Sequence, residues 1–224
     1  MPAPRRYRTI ADLPAVIPVF PLTGVLLLPH TRLPLNIFEP RYLAMVDAAM
    51  DHYRVIGMIQ PRTQGEDMAK KPALADVGCL GRITEYSETD DGHYLITLTG
   101  LARFRVSGER ELGTPFRQVA ADYASFIRDL SSTEDHPPIA RGRLLAALKP
   151  YLSDRAMQTD WKSIEEAPPE MLINALCMLC PFEPNEKQAL LEAPSLKERA
   201  DALVTLIEIA NASAIPSGGK PSIN

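Results

Sequence analysis

The sequence predicts an α+β protein in which a β-rich amino-terminal region precedes a helical carboxy-terminal region. Near Pro137 the apolar pattern changes from short runs bounded by proline to stripes with helical spacing. With 224 residues, 46% of them hydrophobic, the chain can bury a sizeable core without disulfides. We expect a flexible amino terminus at 1–12, a β subdomain at 13–129, a helical bundle at 130–211 and a disordered tail at 212–224.

Short apolar runs next to prolines predict the first strands: Val16–Phe20, Val25–Leu28 and Leu33–Phe38. Proline lacks the N–H that a β-ladder needs, so it favours strand starts, edges and bulges. Short strands around sharp corners are typical of small barrels. Arg54–Ile59 predicts a further strand, and the polar stretch Gln60–Pro72 predicts an exposed loop.

A hairpin is predicted from Arg82–Ser87 to His93–Leu98, because Asp90-Asp91-Gly92 supplies the positive φ angles of a tight turn. Two more strands are expected at Ala102–Val106 and Arg117–Tyr123.

Alternation within Ala102–Val106 predicts one buried and one wet face. Phe104 and Val106 are expected to be buried, and Arg103 and Arg105 to face solvent.

Five segments predict helices. Arg41–Asp51, following Pro40, interrupts the β region, and leucines at 144, 145, 148 and 152 form a later apolar stripe. Met171–Cys180 is apolar nearly all round, which predicts burial. A helix starting at Pro184 and one starting at Ser195, with Glu198 at the capping-box spacing, complete the set. The segment Leu130–Pro138 predicts the linker between the two halves.

Cysteines give the first candidate chemistry. Cys177 and Cys180 have the spacing of a redox motif, but they fall at the end of an apolar helix, where the dipole has the wrong sign to lower a thiol pKa. Cys79 is distant, and four ligands are needed for a zinc site. We therefore interpret all three as buried structural thiols, with metal or redox chemistry as the alternative.

Other function classes lack their residue patterns. No histidine has metal-ligand spacing, and no phosphate-binding loop or nucleophile elbow occurs, so no metal site or cofactor is predicted. A net charge of −4 disfavours nucleic acid as a partner. No apolar run reaches the length of a membrane span or has the form of a signal peptide, and an odd number of cysteines fits a reducing compartment. The expected location is cytoplasmic.

One polar cluster lies tightly among apolar residues, in the segment Pro34–Tyr42. Glu39 precedes a helix, where a carboxylate can meet free backbone N–H groups, and Arg41 can bond to strand carbonyls or to Glu39. This predicts a structural corner between strand and helix. The alternative is a binding site, for which the candidate residues are Asn36, Phe38, Glu39, Arg41 and Tyr42.

Several segments together resemble the amino-terminal domain family of Lon proteases. The opening runs Ile17-Pro-Val-Phe-Pro-Leu22, Val25-Leu-Leu-Leu-Pro29 and Leu33-Pro-Leu-Asn-Ile-Phe-Glu-Pro-Arg-Tyr-Leu43 match its first motif in order and spacing. Val77–Ile83 and Leu98–Val106 resemble later strands of the family.

The helical half is also similar, at Leu172–Leu176, Pro181-Phe182 and Glu186–Glu192. The resemblance covers about Leu13 to Asn211. It implies a PUA-like pseudo-barrel with an inserted helix, followed by a helical bundle. In full-length Lon this region recognises protein substrates, whereas the ATPase and Ser–Lys protease domains lie beyond it.

The resemblance implies a non-enzymatic module that recognises polypeptides. Its expected site is an exposed apolar surface with a polar rim, in the cleft between barrel and bundle. The expected partners are unfolded or degradation-prone polypeptides, with a separate Lon-type protease as a further candidate. One alternative is RNA or nucleotide binding, by analogy with PUA-like folds. Another is a small hydrolase or redox enzyme that uses Cys177 and Cys180.

Overall fold

The computed structural model describes residues 7–62, 71–131, 140–155 and 159–214. Most of the loop predicted at Gln60–Pro72, most of the linker predicted at Leu130–Pro138, and nearly all of the predicted tail lie outside these ranges.

Contacts divide the chain into two compact units. The sheet unit comprises Met1–Glu134 and Cys177–Glu192, and the helical unit comprises Asp135–Leu176 and Ala193–Asn224. The division therefore groups one segment of the sequence's helical half with the strands.

The sheet unit contains a mixed six-stranded sheet. Its strands are β1 (Val16–Pro21), β2 (Arg32–Ile37), β3 (Val55–Ile59), β4 (Val77–Glu88), β5 (Tyr94–Arg110) and β6 (Arg117–Asp122). Their order is β2-β5-β4-β3-β1-β6, and the far end of β5 also pairs with β6. Only the β1–β3 pairing is parallel among these. The pairings from β5 through β4, β3, β1 and β6 therefore lead back to β5 in a closed circuit. Strand β2 pairs with β5 from outside this circuit.

Helix α1 (Pro40–Asp51) connects β2 to β3, as the sequence predicts. Proline is suited to its first turn, where no N–H is needed for the helix. Tyr42, Met45, Val46 and Ala49 recur at helical spacing, and they are the buried face.

Alternating strand residues form the core of the sheet unit. Ile17 and Val19 of β1 meet Leu80, Phe104 and Val119 from the neighbouring strands, and all are fully buried. Burial of each such side chain contributes about 2 kcal/mol. The core explains why the proline-rich β1 holds its place: it pairs on both sides while Ile17 and Val19 point inward.

Helix α5 (Pro184–Glu192) joins the sheet unit through polar contacts. Lys187 Nζ donates to the carbonyls of Gly24 (3.0 Å) and Met178 (3.2 Å), and Gln188 Nε2 donates to Val77 O (3.0 Å). Burial lowers the pKa of Lys187, although Cys180 and Cys177 oppose this shift. These hydrogen bonds account for the grouping of Cys177–Glu192 with the strands.

The helical unit contains α2 (Arg141–Asp154), α3 (Trp161–Glu166), the start of α4 (Pro169–Leu179) and α6 (Leu196–Ala214). Ser195 caps this last helix, at the predicted position: its Oγ accepts from Glu198 N at 3.2 Å and donates to the Glu198 carboxylate at 2.8 Å. Leu203 and Ile207 are fully buried on the predicted stripe. None of the described helices is long and apolar enough to cross a bilayer.

The strand predicted at Val25–Leu28 is wrong. This segment is irregular, although Leu26, Leu27 and Leu28 are buried. It crosses the sheet at Gly100, where a Cβ would lie 2.0 Å from Leu28 O. His30 N donates to Gly100 O at 3.0 Å, and Gly100 N donates to Thr31 O at 2.9 Å. An apolar run therefore packs as a loop, because a glycine lets its backbone approach.

The separate strand predicted at Ala102–Val106 is part of the long strand β5, and Arg103 does not face solvent. Its guanidinium forms two 2.8 Å bonds to the carboxylate of Asp129 and donates to Leu191 O at 3.1 Å. Arg105 is exposed, as predicted. The error arises because Asp129 is remote in sequence and compensates the buried charge.

Two predictions for the helices also need correction. Met171 and Leu179 of α4 are 62% and 73% exposed, so this helix is not buried all round. Helix α6 continues to Ala214, beyond the predicted start of the tail. The short helix α3 was not predicted; Asp160 caps it by accepting from Lys162 N at 3.1 Å.

Candidate functional site

The predicted cluster at 36–42 spans the end of β2 and the first turn of α1, and the structure divides it. Asn36 and Phe38 are exposed near the end of β2, whereas Tyr42 is buried beneath α1. Glu39 and Arg41 lie between them. The five candidates therefore do not converge on one site.

The strand-to-helix corner itself forms as predicted. Glu39 O accepts from Tyr42 N at 2.8 Å and from Leu43 N at 3.0 Å, which starts the helix. Arg41 Nε donates to the Glu39 carboxylate at 3.0 Å, and its guanidinium lies 4.5 Å from the Tyr42 ring centroid. The Glu39 side chain makes no capping hydrogen bond, contrary to prediction, because it pairs with Arg41.

Tyr42 holds this corner against β1. Its ring lies 4.3 Å from that of Phe20, measured between centroids. Burial raises the pKa of Tyr42 above its ordinary value, while Arg41 and Arg117 act in the opposite direction. The hydroxyl therefore remains protonated at neutral pH and adds no charge to the corner.

Beside this corner, two depressions share Leu112, Thr114 and Phe116, and we name them together the pocket surface. The larger, of about 700 Å³, includes Arg41, Tyr42 and the turn between β5 and β6. The smaller, of about 340 Å³, is lined mainly by apolar side chains of β1, α1 and the turn before β6. Leu112 is 60% exposed where the two meet.

The charges of the pocket surface are largely paired. Arg117 donates to both carboxylate oxygens of Glu109, and Lys71 Nζ lies 3.3 Å from the same carboxylate. Burial opposes ionisation of Glu109, but the hydrogen bonds and charges of Arg117 and Lys71 outweigh it and lower its pKa. Arg117 also donates to Pro72 O at 2.7 Å. An apolar centre is thus surrounded by ion pairs that neutralise one another.

A second feature, which we name the sheet-face surface, lies on β2, β4 and β5. A groove of about 440 Å³ is lined by Pro34, Asn36, Leu95 and their neighbours. Asn36 pairs with Leu95 in the β2–β5 register, so the two lie on one face. Phe38, next along that face, is 59% exposed, and its ring lies 5.7 Å from that of His93.

Two acids lie near this groove: Glu85 lines it, and Asp91 lies 3.6 Å from His93, whose ring is beside that of Phe38. Glu85 pairs with Arg32 and accepts from Thr97 Oγ1 at 2.7 Å, and these bonds lower its pKa. Tyr94 pairs with Ile37 in the register and therefore lies on the opposite face of the sheet. Hydrogen bonding to Asp47 and Tyr86 raises the pKa of Tyr94 to about 12, so that hydroxyl stays neutral.

The cysteines do not form a site with these surfaces. Cys79, Cys177 and Cys180 are all buried, and none of the three forms a disulfide. The described residues contain no group of three or more His, Cys, Asp or Glu side chains that could hold a metal ion.

The sequence profile of the family described as "ATP-dependent protease La (LON) substrate-binding domain" matches residues 16–208. The chain belongs to this Lon family. Curated relatives include Lon protease of Escherichia coli strain K12, 24% identical over 86% of this chain, and Lon protease 2 of Myxococcus xanthus, 28% identical over 88%. In both cases the match covers 24% of the relative, so the chain spans about a quarter of their length.

The fold agrees with a solved member. The crystal structure of a Lon N-terminal domain protein from Xanthomonas campestris matches with a TM-score of 0.60 and 20% identity. The match covers 85% of this chain and 97% of that one. The Lon resemblance of the sequence is thus confirmed, and the α+β class predicted for the chain agrees with this match.

Sequence reasoning did not single out the β5–β6 turn of this Lon domain. Leu112 and Phe116 lie in Leu-Gly-Thr-Pro-Phe, where an apolar residue directly precedes a glycine with φ of 70°. An apolar side chain in a predicted turn is a usable signal, since turns normally carry polar residues.

Proposed function

We propose that this Lon-family domain binds polypeptide segments at the pocket surface. The observation that supports this most is the exposed Leu112 between two depressions, on a domain whose family is described as substrate-binding. The matched domain is non-catalytic in itself, and the proposal includes no chemical step.

The physical basis is burial of apolar side chains from both partners. Covering Leu112 and its neighbours yields about 25 cal/mol per Å² of apolar area, whatever the sequence of the client. Unfolded polypeptides expose apolar side chains that folded proteins bury, so this term selects them. The paired charges of Glu109, Arg117 and Lys71 favour a polar rim that needs no partner of fixed charge.

The proposal also includes a PUA-like description of the sheet unit, a Lon-type protease as partner and a cellular location. The circuit of strand pairings supports a PUA-like pseudo-barrel as the description of the sheet unit. A Lon-type protease is a fitting recipient of bound clients, because Lon proteases are among the relatives. A cytoplasmic location suits such a role. RNA binding has no support from the family or the structural match.

The test measures binding of a fluorescent, reduced and carboxymethylated unfolded protein by anisotropy. Leu112→Asp places a charge at the centre of the surface, and we expect about tenfold weaker binding, equivalent to about 1.4 kcal/mol. Ile127→Asp is the matched control, because Ile127 is 56% exposed in the same unit but lines neither depression.

Moderate salt should leave the wild-type affinity nearly unchanged, because apolar burial is not screened. Equal binding by wild type and Leu112→Asp, or equal losses in both variants, would show that the pocket surface is not the site. Circular dichroism of each variant separates lost binding from lost folding.

A further inference from the structure

We propose that Lys187 and Gln60 are positioning residues for the pocket surface: they hold the turn at Gly24, and helix α5 thereby determines the shape of one pocket wall. The inference rests on the function proposed for that surface and deepens it. Neither side chain lines either depression, so the control of client affinity is assigned to residues behind the binding surface.

One wall of the larger depression lies where the chain leaves β1 and β3. It is lined by Pro21 at the end of β1, by Thr23 just beyond it, and by Pro61 shortly after β3. The register between the two strands ends at Pro21 and Ile59. Beyond that pair the backbone turns at Gly24, whose φ of 73° lies in the left-handed region. The shape of this wall therefore depends on what holds the turn.

Two buried side chains hold the backbone of Gly24. Its N–H donates to Gln60 Oε1 at 3.0 Å, and its carbonyl accepts from Lys187 Nζ at 3.0 Å. Gln60 is 4% and Lys187 8% exposed. Hydrogen bonds from a charged donor are among the stronger ones, so the lysine fixes the carbonyl firmly.

The same side chains attach the turn to helix α5. Lys187 belongs to this helix, and Gln60 Nε2 donates to Pro184 O at 2.9 Å and to Gln188 Oε1 at 3.2 Å. A continuous chain of hydrogen bonds thus runs from the pocket wall to α5. The segment Cys177–Glu192, which carries α5, continues at both ends into segments grouped with the helical unit, so noncovalent contacts keep it with the strands.

The lysine is the residue that points to function rather than stability. Burial lowers its pKa, which shows that the charge is disfavoured where it lies. In the described part of the chain its hydrogen-bond acceptors are the carbonyls of Gly24 and Met178, not carboxylates. An apolar residue of similar volume would avoid the penalty of burying a charge. A turn fixed before the client arrives loses less conformational freedom on binding, which raises affinity.

Amide exchange measured by NMR without client tests the positioning role. In Lys187→Met the Gly24 amide should exchange about tenfold faster. The Leu22 amide, which is bonded to Ile59 O at 3.0 Å, should keep its wild-type rate and so exclude global unfolding. Lys197→Met is the matched control, because Lys197 is exposed on α6. Unchanged protection of Gly24 in Lys187→Met would overturn the proposal.

Anisotropy with the carboxymethylated unfolded protein tests the effect on affinity. We expect Lys187→Met and Gln60→Met each to weaken binding about fivefold, and the double variant to weaken it no more than about sevenfold, because both act through one turn. Lys197→Met should bind as wild type does. Wild-type affinity in either single variant, or a loss of about 25-fold in the double variant, would overturn the proposal.

The positioning role and the client site fail in different ways. Wild-type binding by Leu112→Asp would overturn the client site and, with it, the control of its affinity by Lys187. A tenfold loss in Leu112→Asp together with unchanged protection of Gly24 in Lys187→Met would keep the client site and overturn only the role of Lys187.

Discussion

The pocket surface and the sheet-face surface begin in the same short segment of chain, yet they differ in how charge is arranged. Around Leu112 the ions are mutually paired, with Arg117 and Lys71 both held by Glu109. At the sheet-face surface Arg32 and Glu85 form an ion pair whose side chains are 61% and 59% exposed, and Asp91 lies beside His93.

This difference shows that one polar cluster in a sequence can contribute residues to two separate surfaces. A strand alternates its side chains between two faces of the sheet, and the helix that follows redirects them again. Asn36 therefore lines the groove on β2 and Phe38 is exposed at the end of that strand, while Arg41 and Tyr42 line the pocket beside α1. Proximity in sequence does not establish a shared site.

The largest expected effect on stability comes from removing the buried ion pair of the sheet unit, which carries both surfaces. Asp129→Ala leaves Arg103 buried without its carboxylate, because the two side chains are 5% and 9% exposed. We expect a loss of about 4 kcal/mol in the free energy of unfolding, measured by chemical denaturation. The affinity for the carboxymethylated unfolded protein should fall as well if the sheet unit unfolds.

Arg105→Ala is the control, since Arg105 is the exposed neighbour on the same strand. It should cost about 0.5 kcal/mol or less. Similar losses for Asp129→Ala and Arg105→Ala would mean that the buried pair does not stabilise the sheet unit.

A smaller effect is expected from Glu109→Gln, which removes the carboxylate shared by the ions of the pocket surface. The folded-state pKa of Glu109 lies below the ordinary value of 4.5. The carboxylate therefore adds stability above that value, and the contribution disappears as pH falls through the folded-state pKa. At neutral pH the variant should lose about 1 kcal/mol.

Unfolding measured along a pH series checks this sign. The difference between wild type and Glu109→Gln should shrink on acidification. A difference that grows as pH falls would mean that Glu109 is not held ionised by Arg117 and Lys71, and the contrast between the two surfaces would lose its electrostatic basis.

The smallest effect is expected at the corner between the surfaces. Arg41 and Glu39 are 55% and 44% exposed, so their ion pair is solvated. Arg41→Gln should change the free energy of unfolding by about 0.5 kcal/mol or less in a thermal or chemical melt. A loss as large as that of Asp129→Ala would show instead that the corner holds the fold together.

Local signals in the sequence predict much of the fold. The hairpin turn has Gly92 at a φ of 78°, and Ser195 caps the last helix through Glu198, where the spacing indicates it. Prolines lie at the end of β1 and also inside β1 and β2, at Pro18 and Pro34. These features depend on residues that are close together along the chain, and the Lon motif places them in a known order.

What the sequence could not predict depends on distant partners. The burial of Arg103 requires Asp129, which a strand pattern does not contain. The loop at Val25–Leu28 requires the open space above Gly100. The pocket surface requires the β5–β6 turn to lie beside α1. The place of Leu112 in this surface is therefore seen only in the folded sheet unit.

The most direct test of the two-surface account compares two substitutions with one ligand. Anisotropy titrations with the carboxymethylated unfolded protein compare Leu112→Asp and Phe38→Ala. We predict that Leu112→Asp weakens binding about tenfold, whereas Phe38→Ala leaves the affinity within about twofold of wild type. If both substitutions weaken binding equally, the two surfaces are one site and the account is wrong.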